Sequence, residues 1–349
     1  MSSTFVKKAA LAAGILTAAF SGSVLADQQL TGAGSTAIYP VLSAWSDTYH
    51  KNTGIALNYQ AIGSGGGIQQ IENGTVNFGA TDKPLGSEDL QKNKLVQFPG
   101  VFIGIAPVVH VEGVKPGELV LDGKTLADIY LGKVIKWNDP EITALNKGVT
   151  LPDLLITVVH RSDGSGTTFT YSNYLSKVSD EWKTKVGFDT AISWPTGVGG
   201  KGNAGVAGFV NQINGAIGYV EYAYAVQNNM IYTRMINANG KTVSPDLKTF
   251  GAASAHADFG SASDFFLIIT NQPGDDSWPI AGATWVLMRK DADKAQNEQV
   301  LKYFDWCLGK GQDQAEKLVY VPLPENVVKL IQKYWKDQLG ISLSHNNFH

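Results

Sequence analysis

The chain is poor in cysteine, in clustered metal ligands and in excess positive charge. Its one cysteine, Cys307, precludes an intrachain disulfide, and the apolar helical pattern of 303–308 predicts a buried, unreactive thiol. The 6 histidines are scattered without paired spacing, so no metal site is expected. A net charge of −3 provides no basic field for nucleic acid. Any anion must therefore be bound by local geometry.

Long apolar runs are also missing, and the start of the chain has the pattern of a secretory signal peptide. Lys7 and Lys8 precede an apolar, small-residue segment at 9–20, and Val24-Leu25-Ala26 suits cleavage near Ala26. No later stretch reaches the ~18 apolar residues of a transmembrane helix. We expect 1–26 to be removed on export to the periplasm, which leaves a mature chain that does not itself span a membrane.

The rest of the chain repeats the order of strand, Gly/Ser/Thr loop and helix, which predicts an α/β fold with mainly parallel sheets. The predicted strands are 29–32, 55–62 and 76–80, the loops 32–36 and 63–67, and the helices begin near 38 and 68. A strand pair is predicted within 98–111. Chain length suggests two domains, predicted as lobe I (27–106 plus 279–349) and an inserted lobe II (107–278).

A third loop, 161–167, joins the apolar run 155–159 to the helical pattern of 169–175. Free N–H groups and the dipole at a helix start favour anions, so this loop is predicted to hold a small tetrahedral oxyanion. An ordinary loop, with Ser165 or Thr167 merely capping the helix, is the alternative. Three such loops on two domains favour one ligand in the cleft between them. The donors would be Thr36, Ser64, Ser165 and Thr167 hydroxyls, backbone N–H groups including Gly166, and the Arg161 guanidinium.

Asp82 ends a predicted strand at the same edge as these loops, where a carboxylate would repel a bare anion. An ionised carboxylate only accepts hydrogen bonds, so it favours an anion that carries a proton, as phosphate does and sulfate does not at neutral pH. A turn or cap role before Lys83-Pro84 is the alternative. Asp163 is expected to orient Arg161, with a plain surface ion pair as its alternative.

The motifs for nucleotide binding and for a serine nucleophile are each incomplete in this sequence. The segment 197–201 ends in Gly-Gly-Lys, but Gly202 follows where a P-loop requires Ser or Thr. The segment 32–37 fits a dinucleotide fingerprint formally, yet no clear acidic residue ends a second strand downstream. No serine lies in a G-x-S-x-G elbow. We therefore expect no cofactor and no catalytic residue.

Several longer motifs carry a resemblance. They are Leu30–Gly34, Asn58–Gln60 with Ile62–Ser64, Asp122–Leu126 with Asp128–Lys133, Arg161 with Asp163–Thr167, Gly199–Asn203 and Gly215–Ala225. In these motifs the chain resembles, over nearly its whole mature length, the periplasmic phosphate-binding proteins of bacterial phosphate-specific (Pst) ABC transporters. The resemblance implies a two-lobed periplasmic-binding-protein fold of type II-like topology, closing by a hinge around phosphate. It also implies a monomer that delivers phosphate to inner-membrane permease subunits.

The family's phosphate contacts fall on matching positions of this sequence. They are Thr36, the backbone of Ala37, Ser64, Asp82, Arg161, Ser165, Gly166 and Thr167, with Asp163 as the partner of the arginine. Two departures stand out, since Ala37 replaces a frequent Phe and Gly65 replaces a second Ser. A receptor for another oxyanion, such as sulfate or molybdate, and a phosphatase-like enzyme on the same scaffold remain the alternatives.

Overall fold

The computed structural model describes residues 29–343, so the predicted signal peptide and the last six residues lie outside it. The strands are β1 (Gln29–Gly34), β2 (Ala56–Ala61), β3 (Phe78–Thr81), β4 (Leu95–Val109), β5 (Val120–Leu121), β6 (Thr157–Arg161), β7 (Val198–Gly200), β8 (Ala216–Glu221), β9 (Ile231–Tyr232), β10 (Arg234–Ile236), β11 (Thr242–Val243) and β12 (Ala281–Arg289). The helices are α1 (Tyr39–Thr53), α2 (Ser64–Glu72), α3 (Ser87–Lys92), α4 (Gly123–Tyr130), α5 (Pro140–Thr143), α6 (Gly166–Val178), α7 (Asp180–Lys185), α8 (Gly202–Gln212), α9 (Tyr222–Gln227), α10 (Leu247–Ser254), α11 (Lys294–Leu308), α12 (Gln312–Lys317) and α13 (Glu325–Leu339). The predicted α/β class is confirmed.

One long sheet runs through the molecule in the order β2-β1-β3-β12-β4-β8-β6-β7, with β9 also paired to β4. The pairings of β1 with β2 and β3, and of β6 with β7 and β8, are parallel. The two strands in the middle, β12 and β4, run antiparallel to their neighbours. Each end of the sheet is thus a parallel α/β unit, which brings its loops and helix N-termini to one edge.

Strand β4 joins these two units, because it changes partners along its length. Residues 95–104 pair with β12, whereas 105–109 pair with β8. We call the strands on the β12 side the first half-sheet and those on the β8 side the second half-sheet. The strand pair predicted within 98–111 is therefore wrong: it is one continuous strand, buried along its whole length.

The second predicted loop is also shorter than expected. Helix α2 begins at Ser64, so the glycines at 65–67 form its first turn instead of a loop. Gly63 makes the turn, with φ of +91°, a conformation that favours glycine. A Cβ on Gly67 would lie 2.5 Å from Gly34 Cα. The glycines thus permit a helix to lie directly on strand β1, a contact that helix propensity alone does not indicate.

Both ends of the described chain share one core. Trp45 of α1 is fully buried, and its Nε1 donates to Gly311 O at 2.7 Å. Tyr49 packs edge-on against Tyr303 of α11, with 5.1 Å between ring centroids. Cys307, on the same helix, is buried, which confirms that prediction. Across 29–343, no helix has the length and apolar character needed to cross a membrane.

We expect Trp45→Ala to lower the free energy of unfolding by about 3–5 kcal/mol, because it empties a buried site and removes the hydrogen bond to Gly311 O. Urea denaturation followed by circular dichroism measures this. Ile135→Ala, at a side chain that is 53% exposed, is the control and should change it by about 0.5 kcal/mol or less. Equal effects of the two changes would refute the shared core.

Candidate oxyanion-binding site

The three loops meet where the two half-sheets face each other. The Gly65 N–H donates to Gly164 O at 3.0 Å, which joins the start of α2 to the loop before α6. A Cβ on Gly166 would lie 2.5 Å from Asp82 Oδ2 and would also overlap Ser64 Oγ. These contacts bring together the segments after β2, β3 and β6, and the Ser35 Oγ bond to Asp82 Oδ1 at 2.7 Å adds the loop after β1. Their convergence, expected from the sequence, is present in the structure.

Four buried hydroxyls at this point share one hydrogen-bonding arrangement. Each oxygen accepts a hydrogen bond from a nitrogen, and none donates to another described residue. The bonds are Asn203 Nδ2 to Thr36 Oγ1 at 2.7 Å, Asp82 N to Ser64 Oγ at 3.0 Å, Thr168 N to Ser165 Oγ at 2.9 Å, and Asn203 Nδ2 to Thr167 Oγ1 at 3.1 Å. Because a hydroxyl has one proton, all four protons stay available to an acceptor in the site.

Arg161 is the cation of the site, and Asp163 holds it in place. Nε donates to Asp163 Oδ1 at 2.7 Å and Nη2 to Oδ2 at 2.6 Å, while the Gly202 N–H also donates to Oδ1 at 3.1 Å. Burial opposes ionisation of Asp163, but the bonds and charge of Arg161 prevail and lower its pKa. The arginine side chain is only 1% exposed, so the surface-pair alternative is wrong. Its Nη1 is buried without a partner among the described residues.

Asp82 follows β3 and is the anionic group of the site. Its Oδ1 accepts from Ser35 Oγ at 2.7 Å and from Thr284 Oγ1 at 2.6 Å. Its Oδ2 is buried without a partner among the described residues, so a turn or helix cap does not account for this side chain. Burial raises the pKa of Asp82 from 3.8 to about 6, against the bonds from Thr284 and Ser35 and the charge of Arg161.

The two departures from the family pattern have distinct surroundings. The Ala37 N–H donates to Ser35 Oγ at 3.0 Å, so its expected role as an anion donor stays a prediction. At Gly65, a Cβ would lie 3.2 Å from Gly164 Cα, which is a tight contact. The missing serine side chain therefore lets the two loops approach closely.

Several residues around the site are not predicted from sequence. Ser35 and Thr284 hold Asp82 from β1's loop and from the distant strand β12, and Asn203 bonds two of the hydroxyls. Asn203 ends the motif Gly199–Asn203, which carries part of the family resemblance but for which no role of Asn203 is predicted. Its place in that motif is the one local sequence feature that points to a role for Asn203. Nothing near Thr284 in sequence indicates its role, because β3 and β12 pair across about two hundred residues.

Comparisons with known proteins agree with this geometry. A profile of the PBP superfamily domain matches residues 21–310. Two solved structures share the fold. A putative phosphate ABC transporter substrate-binding protein from Clostridium perfringens, with bound phosphate, has a TM-score of 0.62 at 18% identity over 85% of this chain and 100% of that one. The periplasmic phosphate-binding protein PfluDING, bound with phosphate, has a TM-score of 0.68 at 21% identity over 88% and 93%. Fold and profile define a two-lobed solute-binding protein.

Relatives that are similar in sequence identify a family within this class of solute-binding proteins. The phosphate-binding protein PstS of Xylella fastidiosa (strain Temecula1) is 54% identical over 311 residues, covering 89% of this chain and 85% of that protein. PstS of Haemophilus influenzae (strain Rd) is 50% identical over 311 residues, covering 89% and 93%. The chain belongs to the PstS family of phosphate-binding proteins, whose members are receptors for a solute and not enzymes.

We expect the unliganded protein to lose stability as pH rises from about 4 to 6, because the raised pKa of Asp82 means that the folded chain holds its proton more tightly than the unfolded chain. Asp82→Asn should remove the part of that slope that Asp82 contributes and add up to about 3 kcal/mol at pH 7. Glu221, whose pKa is also raised by burial, should keep its own part of the slope. Urea denaturation at a series of pH values measures the slope and the stability. The exposed Asp153→Asn should keep the wild-type slope, and an unchanged slope in Asp82→Asn would contradict the assignment.

Proposed function

We propose that this protein captures inorganic phosphate between its lobes and delivers it to the permease of an ABC transporter. One observation carries the proposal. A buried donor, Arg161 Nη1, and a buried acceptor, Asp82 Oδ2, have no hydrogen-bond partner within 29–343, and four hydroxyls beside them donate to no residue of that range. A protonated phosphate supplies oxygens for the donors and an O–H for the acceptor. Sulfate and molybdate lack that proton at neutral pH and leave Asp82 unpaired.

The proposed contacts are those implied by the resemblance. They are Thr36, Ala37, Ser64, Asp82, Arg161, Ser165, Gly166 and Thr167, with Asp163 in support. A micromolar affinity requires about 8 kcal/mol. Hydrogen bonds to a charged group contribute roughly 1.5–3 kcal/mol each, so this set of donors suffices after the costs of ordering and desolvation.

The lobes are proposed as 27–106 with 279–349, and 107–278. Two observations support crossings near these positions: β4 changes partners between Gly104 and Ile105, and β12 begins at Ala281 opposite Gly104. Rotation about the two crossing segments would open the cleft to solvent. We further propose export through cleavage near Ala26, a monomeric protein in the periplasm, and a transient contact with inner-membrane permease subunits.

A phosphatase-like reaction is not favoured by the hydroxyls of the site. A serine or threonine nucleophile donates its proton to a base. These four oxygens instead accept from amide N–H groups and donate to no basic group in the described part of the chain. Isothermal titration calorimetry with inorganic phosphate tests the proposed function directly. A chromogenic phosphate ester, incubated with the same sample, tests the enzyme alternative and should yield no product above background.

Arg161→Ala should weaken phosphate binding by several kcal/mol, on the order of 100-fold or more, because it removes a buried charge-assisted donor. Calorimetric titration measures the change. Lys248→Ala removes a positive charge from a side chain that is 75% exposed and should leave the affinity within about two-fold. Near-native binding by Arg161→Ala would exclude this residue from the site.

Asp82→Asn should reduce the preference for phosphate over sulfate, since the new amide offers a donor to an anion that has no proton to give. We expect sulfate binding to become detectable while phosphate binding weakens. A thermal-shift screen across phosphate, sulfate and molybdate, followed by calorimetry, measures this preference. The control is again Asp153→Asn. An unchanged ratio of phosphate to sulfate affinity in Asp82→Asn would show that Asp82 does not recognise the proton of the anion.

A further inference from the structure

We propose that Asn203 is a positioning residue for the anion: its amide forces the hydroxyl protons of Thr36 and Thr167 to point into the site. The inference rests on the proposed function, because it assigns how two of the proposed donors are oriented. Asn203 lies in the first turn of α8, is fully buried, and is not among the contacts that the resemblance implies.

The orientation of the Asn203 amide is determined by a backbone group. Its Oδ1 accepts from the Glu221 N–H at 2.8 Å, and a backbone N–H can only donate. The NH2 group must therefore face the other way, toward the two threonines. It has two protons and meets two oxygens, Thr36 Oγ1 at 2.7 Å and Thr167 Oγ1 at 3.1 Å.

An amide NH2 group donates hydrogen bonds and does not accept them, so neither threonine hydroxyl can donate its proton to that group of Asn203. The Asn203 backbone N–H adds a second donor to Thr36 Oγ1, at 3.2 Å. Thr36 and Thr167 are 6% and 1% exposed, so water does not compete freely for their protons. Each hydroxyl therefore keeps its proton for donation, and that proton points into the site.

The two threonines belong to opposite halves of the molecule. Thr36 precedes α1 of the first half-sheet, whereas Thr167 lies in the first turn of α6, beside the second half-sheet that also carries α8. Tyr224 reinforces the link, since its hydroxyl donates to Thr36 O at 2.5 Å. The Asn203 bond to Thr36 therefore forms only when the halves are closed, which couples closure to the presentation of the Thr36 proton.

The neighbouring glutamate holds Asn203 in turn. Glu221 ends β8, and its Oε2 accepts from the Ala223 N–H at 2.8 Å and from the Tyr320 hydroxyl at 3.0 Å. These bonds fix the backbone at 221, and with it the N–H that the Asn203 amide needs. The asparagine is therefore set by rigid surroundings before any ligand arrives, which is the condition for pre-organised donors.

The test is a double-mutant cycle on phosphate affinity, measured by equilibrium dialysis with radiolabelled phosphate. Asn203→Leu keeps the number and branching of the side-chain heavy atoms. It removes the NH2 group and also the Oδ1 that accepts from the Glu221 N–H, and it should weaken binding about 10-fold or more in the wild-type background. In the Thr36→Val/Thr167→Val background the same change should cost about two-fold or less, because no hydroxyl remains to be oriented. A packing role alone, independent of the two hydroxyls, would give equal losses in both backgrounds and would overturn the inference.

Matched controls separate the possible failures. Asn211→Leu, exposed on the same helix α8, should leave phosphate affinity unchanged. If Asn203→Leu lowers the thermal stability of the protein, the cycle is repeated with Asn203→Ala, for which the same coupling is required. No phosphate binding by the wild-type protein would overturn the proposed function, whereas normal binding by wild type and Asn203→Leu alike would overturn only the role of Asn203.

Discussion

The structure depends on one constraint: a carboxylate and a guanidinium are buried together, and each has one atom without a hydrogen-bond partner among residues 29–343. A buried polar atom without a partner costs about 1–3 kcal/mol. Asp82 Oδ2 and Arg161 Nη1 are such atoms, and each is held by bonds to its other atoms from Ser35, Thr284 and Asp163. A ligand with both an O–H and ionised oxygens relieves both costs. The two buried atoms whose burial lowers the stability of the protein are therefore the atoms that select the anion.

Glycine at the contact between the half-sheets makes this burial possible. Gly65 and Gly164 approach until a Cβ on either would touch the other, and Gly166 leaves no room for a side chain beside Asp82. Close backbone approach excludes water, which strengthens every hydrogen bond and charge interaction inside. The same lack of side chains exposes backbone N–H groups at the starts of α2 and α6, where an anion is favoured.

Orientation of the donors is a separate matter from their presence. The hydroxyl oxygens of Thr36, Ser64, Ser165 and Thr167 each accept from a nitrogen that cannot accept in return, so the proton of each is directed toward the ligand. For Ser64 and Ser165 that nitrogen is a backbone N–H. For Thr36 and Thr167 it is the side chain of Asn203, and the bond to Thr36 joins the two halves. A set of neutral hydroxyls thus acts as a set of aligned donors.

The sequence by itself determined the α/β class, and it predicted the three loops and the residues Arg161, Ser165, Asp82 and Ser64 as one site, because strand-loop-helix order and residue chemistry are local properties. It missed the start of α2 inside a glycine run, since helix propensity opposes it and only contact with Gly34 permits it. It missed Thr284 and Asn203 because their roles come from pairing of β12 with β3 and from α8 meeting Thr36. Only the tertiary structure decides which buried atoms remain without a hydrogen-bond partner, because distant segments surround them. Those atoms determine which donors and acceptors the ligand must have.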